Sequence, residues 1–310
     1  MFFSRPVTIV THSGSFHADD IFACAVLALY HEKKGKRYKI IRTREQEIID
    51  AADIVLDVGG IDDPSAQRFD HHQTGGAGKR DNGIPYAAFG LIWKEYGPLL
   101  CENDEIVEDL DRRLVQPIDA VDNGVSISES IECGLYDYGI HGIVSAYQCT
   151  WKEAGETKKQ YRHFMKLVHF FKEVLQRELE RSYHRLEMIE IIQKSYDQAE
   201  RKDILEIPYH VSIGSLMQVL DEHKEVKFIV ARSNTNWKAM ALREKACSFE
   251  SRKCFPKEWG GKRQEELREI TGVPDALFCH NALWLAVAES KEGAWKLAEL
   301  GISGETKVRD

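Results

Sequence analysis

The chain contains no run of about 20 apolar residues, the length a membrane-crossing helix requires. Its N-terminus, MFFSRPVTIVTHSG, has neither the apolar core and cleavage site of a secretory signal nor the Arg/Ser-rich character of a transit peptide. Cytoplasmic residence and no membrane partner are therefore expected. Cysteine is present but unpatterned: seven residues, at 24, 101, 133, 149, 247, 254 and 279, with no CxxC pair. An odd, scattered set builds neither a disulfide framework nor a zinc knuckle, and it fits a reducing compartment. Basic residues are outnumbered, 42 Lys and Arg against 50 Asp and Glu, for a net charge of −8. That excludes a protein coating nucleic acid through a uniformly basic surface, although a local basic groove stays open. The GxSxG elbow of serine hydrolases is missing, and Cys24 lies in an apolar run where burial is its expected fate. No internal repeat or low-complexity tract occurs.

What is present is ordinary for a soluble globular protein, 43% hydrophobic and 30% charged over 310 residues, a length that calls for two domains. The first 60 residues alternate in the order of an α/β domain with a parallel sheet. Strands are expected at Val7 to Val10, Tyr38 to Arg42 and Ile54 to Val58, with helices over Asp20 to His31 and Glu45 to Ala52. From Glu153 to Lys202 there is no proline and one glycine, and apolar residues recur three or four apart at Phe164, Val168, Phe171, Leu175, Leu179, Leu186 and Ile189. This is a helical stripe, long enough for two helices or for one helix joining domains. A second α/β segment starts near Ile204, with strands at Phe228 to Ala231 and Ala239 to Leu242, and helices at Glu265 to Thr271 and Glu292 to Leu300. The expected fold class is α/β, with domains at 1–152 and 204–310 and a helical connector at 153–203.

Four short motifs carry chemistry. In Thr11-His12-Ser13-Gly14-Ser15-Phe16-His17-Ala18-Asp19-Asp20 a strand gives way to a helix, and His12, His17 and Asp19 can converge around the glycine turn. The plain alternative is that Asp19 or Ser15 only caps the helix. Asp57 ends the apolar strand Ile54-Val55-Leu56, where a carboxylate is costly unless paired or metal-bound, and Gly59-Gly60 follow. In Arg68-Phe69-Asp70-His71-His72-Gln73 the adjacent histidines point to different sides of an extended segment. One can bind metal while the other meets substrate, and Asp70 can orient an imidazole. In Ile118-Asp119-Ala120-Val121-Asp122-Asn123-Gly124 two carboxylates share a helical face at i and i+3, so either Asp119 or Asp122 can complete the site. A mixed His/carboxylate set without thiolates suits Mn²⁺, Co²⁺, Fe²⁺ or Zn²⁺ better than Ca²⁺. Two metals bridged by one carboxylate would make a nucleophile from water and stabilise the attacking and leaving oxygens at a phosphate.

In this order the motifs resemble the DHH phosphoesterase superfamily, which includes exonucleases, oligoribonucleases and pyrophosphatases. THSGSFHADD, DVGG, FDHHQ and DAVDNG look like its MYG branch, as do NGIPYAAFGLIWKEYG, CSFESR, FPKEWGGKR and FCH further on, so the resemblance covers nearly the whole chain. It implies an N-terminal DHH-type catalytic domain with a mostly parallel sheet, a helical linker and a smaller C-terminal α/β domain that grips substrate. By the same resemblance His12, His17 and Asp19 form the first metal motif, Asp57 is the bridging carboxylate, His71 is a ligand and Asp122 is preferred over Asp119. His72 touches phosphate, with Asp70 beside it in the catalytic pair. The activity implied is 3′-5′ exonucleolysis of RNA or short oligonucleotides with two divalent ions, Mn²⁺ first and Mg²⁺ also admissible. Substrate-binding candidates are Arg80, Arg243, Arg252, Lys262, Arg263 and His280. Trp259 could stack on a base, although a core position suits it better. The wider superfamily usually has an aspartate where His17 stands, a departure shared with the MYG branch. After FCH the chain reads Asn281-Ala282-Leu283-Trp284-Leu285-Ala286, bulkier than the family's usual last strand, which leaves substrate length open. The competing functions are a small-molecule phosphatase or pyrophosphatase, and a non-catalytic module stabilised by its metal. About six ligands for two metals leave positions open, as catalytic sites do.

Overall fold

The computed structural model describes residues 5–128, 135 and 138–304 and divides into two compact units, Met1–Tyr183 and His184–Asp310. In the first, elements follow as β1 (Val7–Thr11), α1 (Ala18–Lys33), β2 (Tyr38–Arg42), α2 (Gln46–Asp50), β3 (Ile54–Leu56), β4 (Asp62–Asp63), β5 (Arg68–Phe69), α3 (Ala88–Leu100) and α4 (Asp104–Leu110). A π-helical turn at Asp111–Val115 leads into α5 (Gln116–Asp122), then come α6 (Ile140–Ala146) and α7 (Thr157–Gln198). The sheet order is β2-β1-β3-β5-β4. β1 runs parallel to β2 and β3, and β3 to β5, while only β4 is antiparallel.

Ile9, Val10, Val55 and Leu56 are fully buried, as inner strands of a parallel sheet must be. The expected helix after β1 lacks a polar face because α1 is buried almost all round, with Ile21 through Ala28 inaccessible. Phe22 packs on Phe89 of α3 at 5.0 Å and on Phe171 of α7 at 4.5 Å. β3 stops at Leu56, short of the expected Val58, because Asp57 turns left-handed with φ 54°. The two-residue strands β4 and β5 have no apolar run and were not foreseeable from pattern.

The π turn has a sequence cause. Pro117 has no N–H to give and its ring would collide with the carbonyl of Arg113 in a regular helix. Widening the preceding turn relieves this, and the Gln116 N–H reaches back to the Asp111 carbonyl, five residues away. The segment of undecided division, one helix or two, is a single helix, α7, and the boundary between the two units falls within it. Its Phe164, Val168, Phe171 and Leu175 are buried in the first unit.

The second unit holds β6 (Ile204–Ile207), α8 (Ile213–Leu220), β7 (Phe228–Arg232), β8 (Trp237–Ala241), α9 (Gln264–Thr271), β9 (Ala276–Cys279), β10 (Leu285–Ala288) and α10 (Lys291–Ser303). Its sheet, β6-β7-β8-β10-β9, is parallel only between β6 and β7. Alternation along β7 serves two cores. Phe228 and Val230 join Phe255, Trp259 and Leu297 on one face, and Ile229 and Ala231 join Leu216, Leu220 and Ile192 on the other. Trp259 is thus a core residue. Trp284 and Leu285 pack partly against these two cores. Among the described residues no helix is long and apolar enough to cross a membrane.

Candidate metal centre

Parallel strands place their C-terminal ends on one edge of the sheet, where α/β proteins bind ligands. In the first unit that edge carries His12 after β1, Arg42 and Arg44 at the end of β2, Asp57 after β3, and Asp70-His71-His72 after β5. The pairings Val10 with Val55 and Leu56 with Phe69 bring these ends side by side. His17 stands at the N-cap of α1, with Asp19 and Asp20 in its first turn, and Asp122 is the last residue of α5.

Their side chains converge. His12 Nε2 lies 3.2 Å from Asp57 Oδ2 and 3.2 Å from Asp20 Oδ2. His71 Nε2 lies 3.4 Å from Asp57 Oδ1 and 3.3 Å from Asp122 Oδ2, and His17 Nδ1 is 3.9 Å from Asp122 Oδ1. Asp57 therefore faces imidazoles with both oxygens, His12 with Oδ2 and His71 with Oδ1. Potential ligand atoms fall into three overlapping groups, each within 4.8 Å: His12, His17 and Asp57; Asp57, His71 and His72; His17, Asp19 and Asp122. Asp57 adopts its left-handed conformation at the centre of this set, a backbone state that costs a non-glycine residue roughly 1–3 kcal/mol and that aspartate tolerates better than most.

These residues fit a cation. His12 Nε2, His71 Nε2, Asp57 Oδ1, Asp20 Oδ2 and both oxygens of Asp19 are buried, and none completes a hydrogen bond. Buried polar atoms are normally paired, and a set of imidazole and carboxylate atoms that converge without completing hydrogen bonds is the arrangement a cation would satisfy. The donors are oxygen and imidazole nitrogen, as in the sites of hard and borderline divalent metals. Protonation tells the same story. Burial, with the Asp57, Asp122 and Asp20 charges added, holds the Asp19 carboxyl well above its ordinary range. Burial raises Asp20 as well, against the pull of His12. For His12 burial alone would lower the pKa, but the Asp20 and Asp57 carboxylates push it to about 10. Asp57 is drawn below its ordinary value because His12 and His71 outweigh its burial.

His72 is placed differently. Its side chain is 62% exposed, and Nδ1 sits 2.8 Å from Asp70 Oδ1 against 3.4 Å from Asp57. The shorter contact governs, since Asp70 Oδ1 also accepts the His72 backbone N–H at 3.1 Å while Oδ2 accepts the Gly60 N–H at 2.6 Å. Asp70 thus orients His72, leaving Nε2 as its available atom.

Two candidates in this unit have other tasks. Arg80 binds Asp111 with Nε at 3.0 Å and Nη2 at 2.7 Å, and reaches Asp119 Oδ2 with Nη1 at 2.8 Å. Its guanidinium also covers the Tyr86 ring at 4.2 Å. Only 7% of the side chain is exposed, and its guanidinium is committed to Asp111 and Asp119. Asp119, wholly buried, takes Arg80 and the Gly90 N–H at 3.0 Å and stays outside the cluster that contains Asp122. In the second unit all five N–H groups of Arg252 point at backbone carbonyls, those of Arg243, His223, Val226, Leu220 and Asp221. Arg252 closes the C-terminal end of α8 and has no donor left for a phosphate. Arg243 lies over the Phe249 ring at 4.7 Å and Arg263 over Phe278 at 4.8 Å. Lys262 is joined through its backbone to Cys279, and the adjacent His280 accepts the Ala282 N–H at 3.0 Å.

Three neighbours were missed in the sequence. Asp20 accepts the His17 N–H at 2.9 Å and also faces His12, and a carboxylate three residues after a helix cap is the signal that could have found it. Arg42 donates to the Gly14 carbonyl at 2.8 Å while lying over Phe164 at 4.6 Å. Arg44 reaches the Ser13 carbonyl and His12 Nδ1, both at 3.3 Å. Together the two arginines brace the loop between His12 and His17.

Residues 8–302 match the family model MYG1_exonuc, described as Uncharacterised protein family (UPF0160). A MYG1 protein of Dictyostelium discoideum is 31% identical over 317 residues, covering 94% of this chain and 95% of its own. Proteins named MYG1 exonuclease are 30% identical in Bos taurus and 29% in Homo sapiens, each aligned over 94% of this chain and over 84% and 85% of their own lengths.

Proposed function

Because the chain belongs to the MYG1_exonuc family (UPF0160), we propose that it is a divalent-metal-dependent phosphodiester hydrolase of the DHH kind, acting as a 3′-5′ exonuclease on RNA or short oligonucleotides. The observation that carries this is the convergence of buried imidazoles and carboxylates whose facing atoms complete no hydrogen bond. The name exonuclease on its mammalian relatives supports a polymeric phosphodiester over a free phosphate ester.

His12, His17, Asp19, Asp57, His71 and Asp122 would hold the ions, with Asp57 shared. Two divalent ions, Mn²⁺ first among Co²⁺, Fe²⁺, Zn²⁺ and Mg²⁺, would supply Lewis acidity toward a phosphoryl oxygen and a more acidic water. The remaining work falls to the chain. Asp70, fixed by Gly60, fixes His72 in turn, so that a donor is held at the exposed side of the cluster for a non-bridging phosphate oxygen. Asp20 locks the His17 backbone and the His12 ring to the same helix turn.

The test is purified protein with Mn²⁺ on RNA, short oligonucleotides, cyclic dinucleotides and pyrophosphate. Shortening of RNA from its 3′ end is expected, and no hydrolysis of any of them sinks the proposal. His71→Ala should lose bound metal and activity together, by more than the roughly 10–100-fold that removal of an outer partner costs. Undiminished activity in that variant would remove His71 from the ligand set.

A further inference from the structure

An acidic chain carries a basic stretch that is tied to the loop of this centre. Between residues 152 and 172 six Lys and Arg face two Glu, Glu153 and Glu156. Lys159 pairs with Glu153 and Lys172 with Glu32. Among the described residues Lys158, Arg162 and Lys166 are exposed and in no ion pair. They stand at i, i+4 and i+8 of α7, one face of the helix with charges about 6 Å apart along its axis. A solvated face would explain charge of this kind by itself.

Two further observations point beyond solvation. Trp151, just before α7, is 83% exposed, with the Lys152 ammonium 5.4 Å from its ring centre. An indole of that size left in water, beside cations and outside any core, has the form of a stacking platform. The corner is also tied to the metal-centre loop. The Gln148 side-chain amide donates to the Phe16 carbonyl, in the peptide unit that continues to His17. Tyr147, whose carbonyl is met by His163 Nδ1 at 2.8 Å, lies under Lys166 at 5.2 Å. Trp151 follows Gln148 by three residues, a reach of at most about 11 Å.

Resting on the hydrolase reading above, we propose that the turn before α7 and its first three turns form the track for a single-stranded nucleic acid leading to the metal centre. A base stacks on Trp151, and Lys158, Arg162 and Lys166 take the phosphates. A duplex, whose bases are already stacked, gains nothing from the indole.

The test uses the full chain in EDTA, so that nothing is cleaved, and the fluorescence anisotropy of end-labelled 12-nucleotide RNA and DNA strands. Charge reversal in Lys158→Glu/Arg162→Glu/Lys166→Glu is expected to weaken binding at least 10-fold. It should also flatten the plot of log affinity against log salt by about 2, the share of three phosphate contacts on a single strand. Trp151→Ala is expected to cost about 10-fold with the salt slope unchanged. Both sites are exposed, and unchanged melting temperatures confirm folding. Wild-type affinity in both folded variants overturns the track while leaving the hydrolase reading intact, provided that the wild type with Mn²⁺ shortens the same RNA. A wild type that neither binds nor shortens either strand overturns both.

Discussion

His12 shows how one residue couples charge, burial and metal. Its pKa stands at about 10 instead of the ordinary 6.5 in the metal-free protein, so Nε2 carries a proton at neutral pH that an ion must displace. Burial would lower the value, but the Asp20 and Asp57 carboxylates raise it. The folded state is therefore favoured fully below pH 6.5, and that contribution fades as pH rises toward 10. For metal the sign is reversed. Mn²⁺ affinity should climb between those pH values by up to about tenfold per unit for each proton displaced. Calorimetry in two buffers of different ionisation heat should register proton release, and a pH-independent affinity would contradict it. Asp57 bears a second constraint, its left-handed backbone. Asn is at home in that conformation and Glu is not, so Asp57→Asn should keep the backbone turn while abolishing Mn²⁺ binding and losing the charge pairs with His12 and His71. Asp57→Glu, conservative in charge, should melt lower; equal melting points would contradict the backbone account.

Single elements decide between residues that spacing leaves equivalent. Asp119 and Asp122 share a helical face by sequence, yet α5 sends the first to Arg80 and Gly90 and the second to His71. Asp119→Ala should lower stability by about 3 kcal/mol, because Arg80 is left buried with one partner fewer, with Mn²⁺ affinity within about twofold of wild type. Asp122→Ala should do the opposite, and isothermal titration alongside urea unfolding separates the two. Helix α3 meets the same pair through Gly90, where an added Cβ would lie 1.9 Å from Asp119 Oδ2 and 2.8 Å from Arg80 Nη2. Gly90→Ala should therefore cost about 3 kcal/mol or more, read as a fall in the urea midpoint. Legibility follows the same line. β1, β2 and α1, and the motifs at their ends, stood out because apolar runs and their polar terminators are local signals. The ion pairs of Arg80 join it to Asp111 and Asp119, 31 and 39 positions on, and four of the five carbonyls around Arg252 come from the remote segment 220–226. In both cases the sequence showed only a free-standing arginine. Asp20 was overlooked next to Asp19 because two carboxylates in a first turn look like one capping device.

On the scale of the whole molecule, every candidate ligand lies in the first unit, Met1–Tyr183. Heating in a scanning calorimeter should give two transitions, and Mn²⁺ at about 100 times its dissociation constant should raise only one, by about 5–10 °C, through roughly 2.7 kcal/mol of linkage. A shift of both transitions, or of neither, would contradict that allocation. The ligands are also far apart along the chain, from His12 through Asp57 and His71 to Asp122. An ion seated among them would close three long loops at once, acting as a reversible cross-link of the backbone. Secreted proteins assign that task to disulfides. This chain, with scattered cysteines, would have it performed by a ligand that a chelator can withdraw, so its conformational entropy would be set in part by the free metal concentration around it.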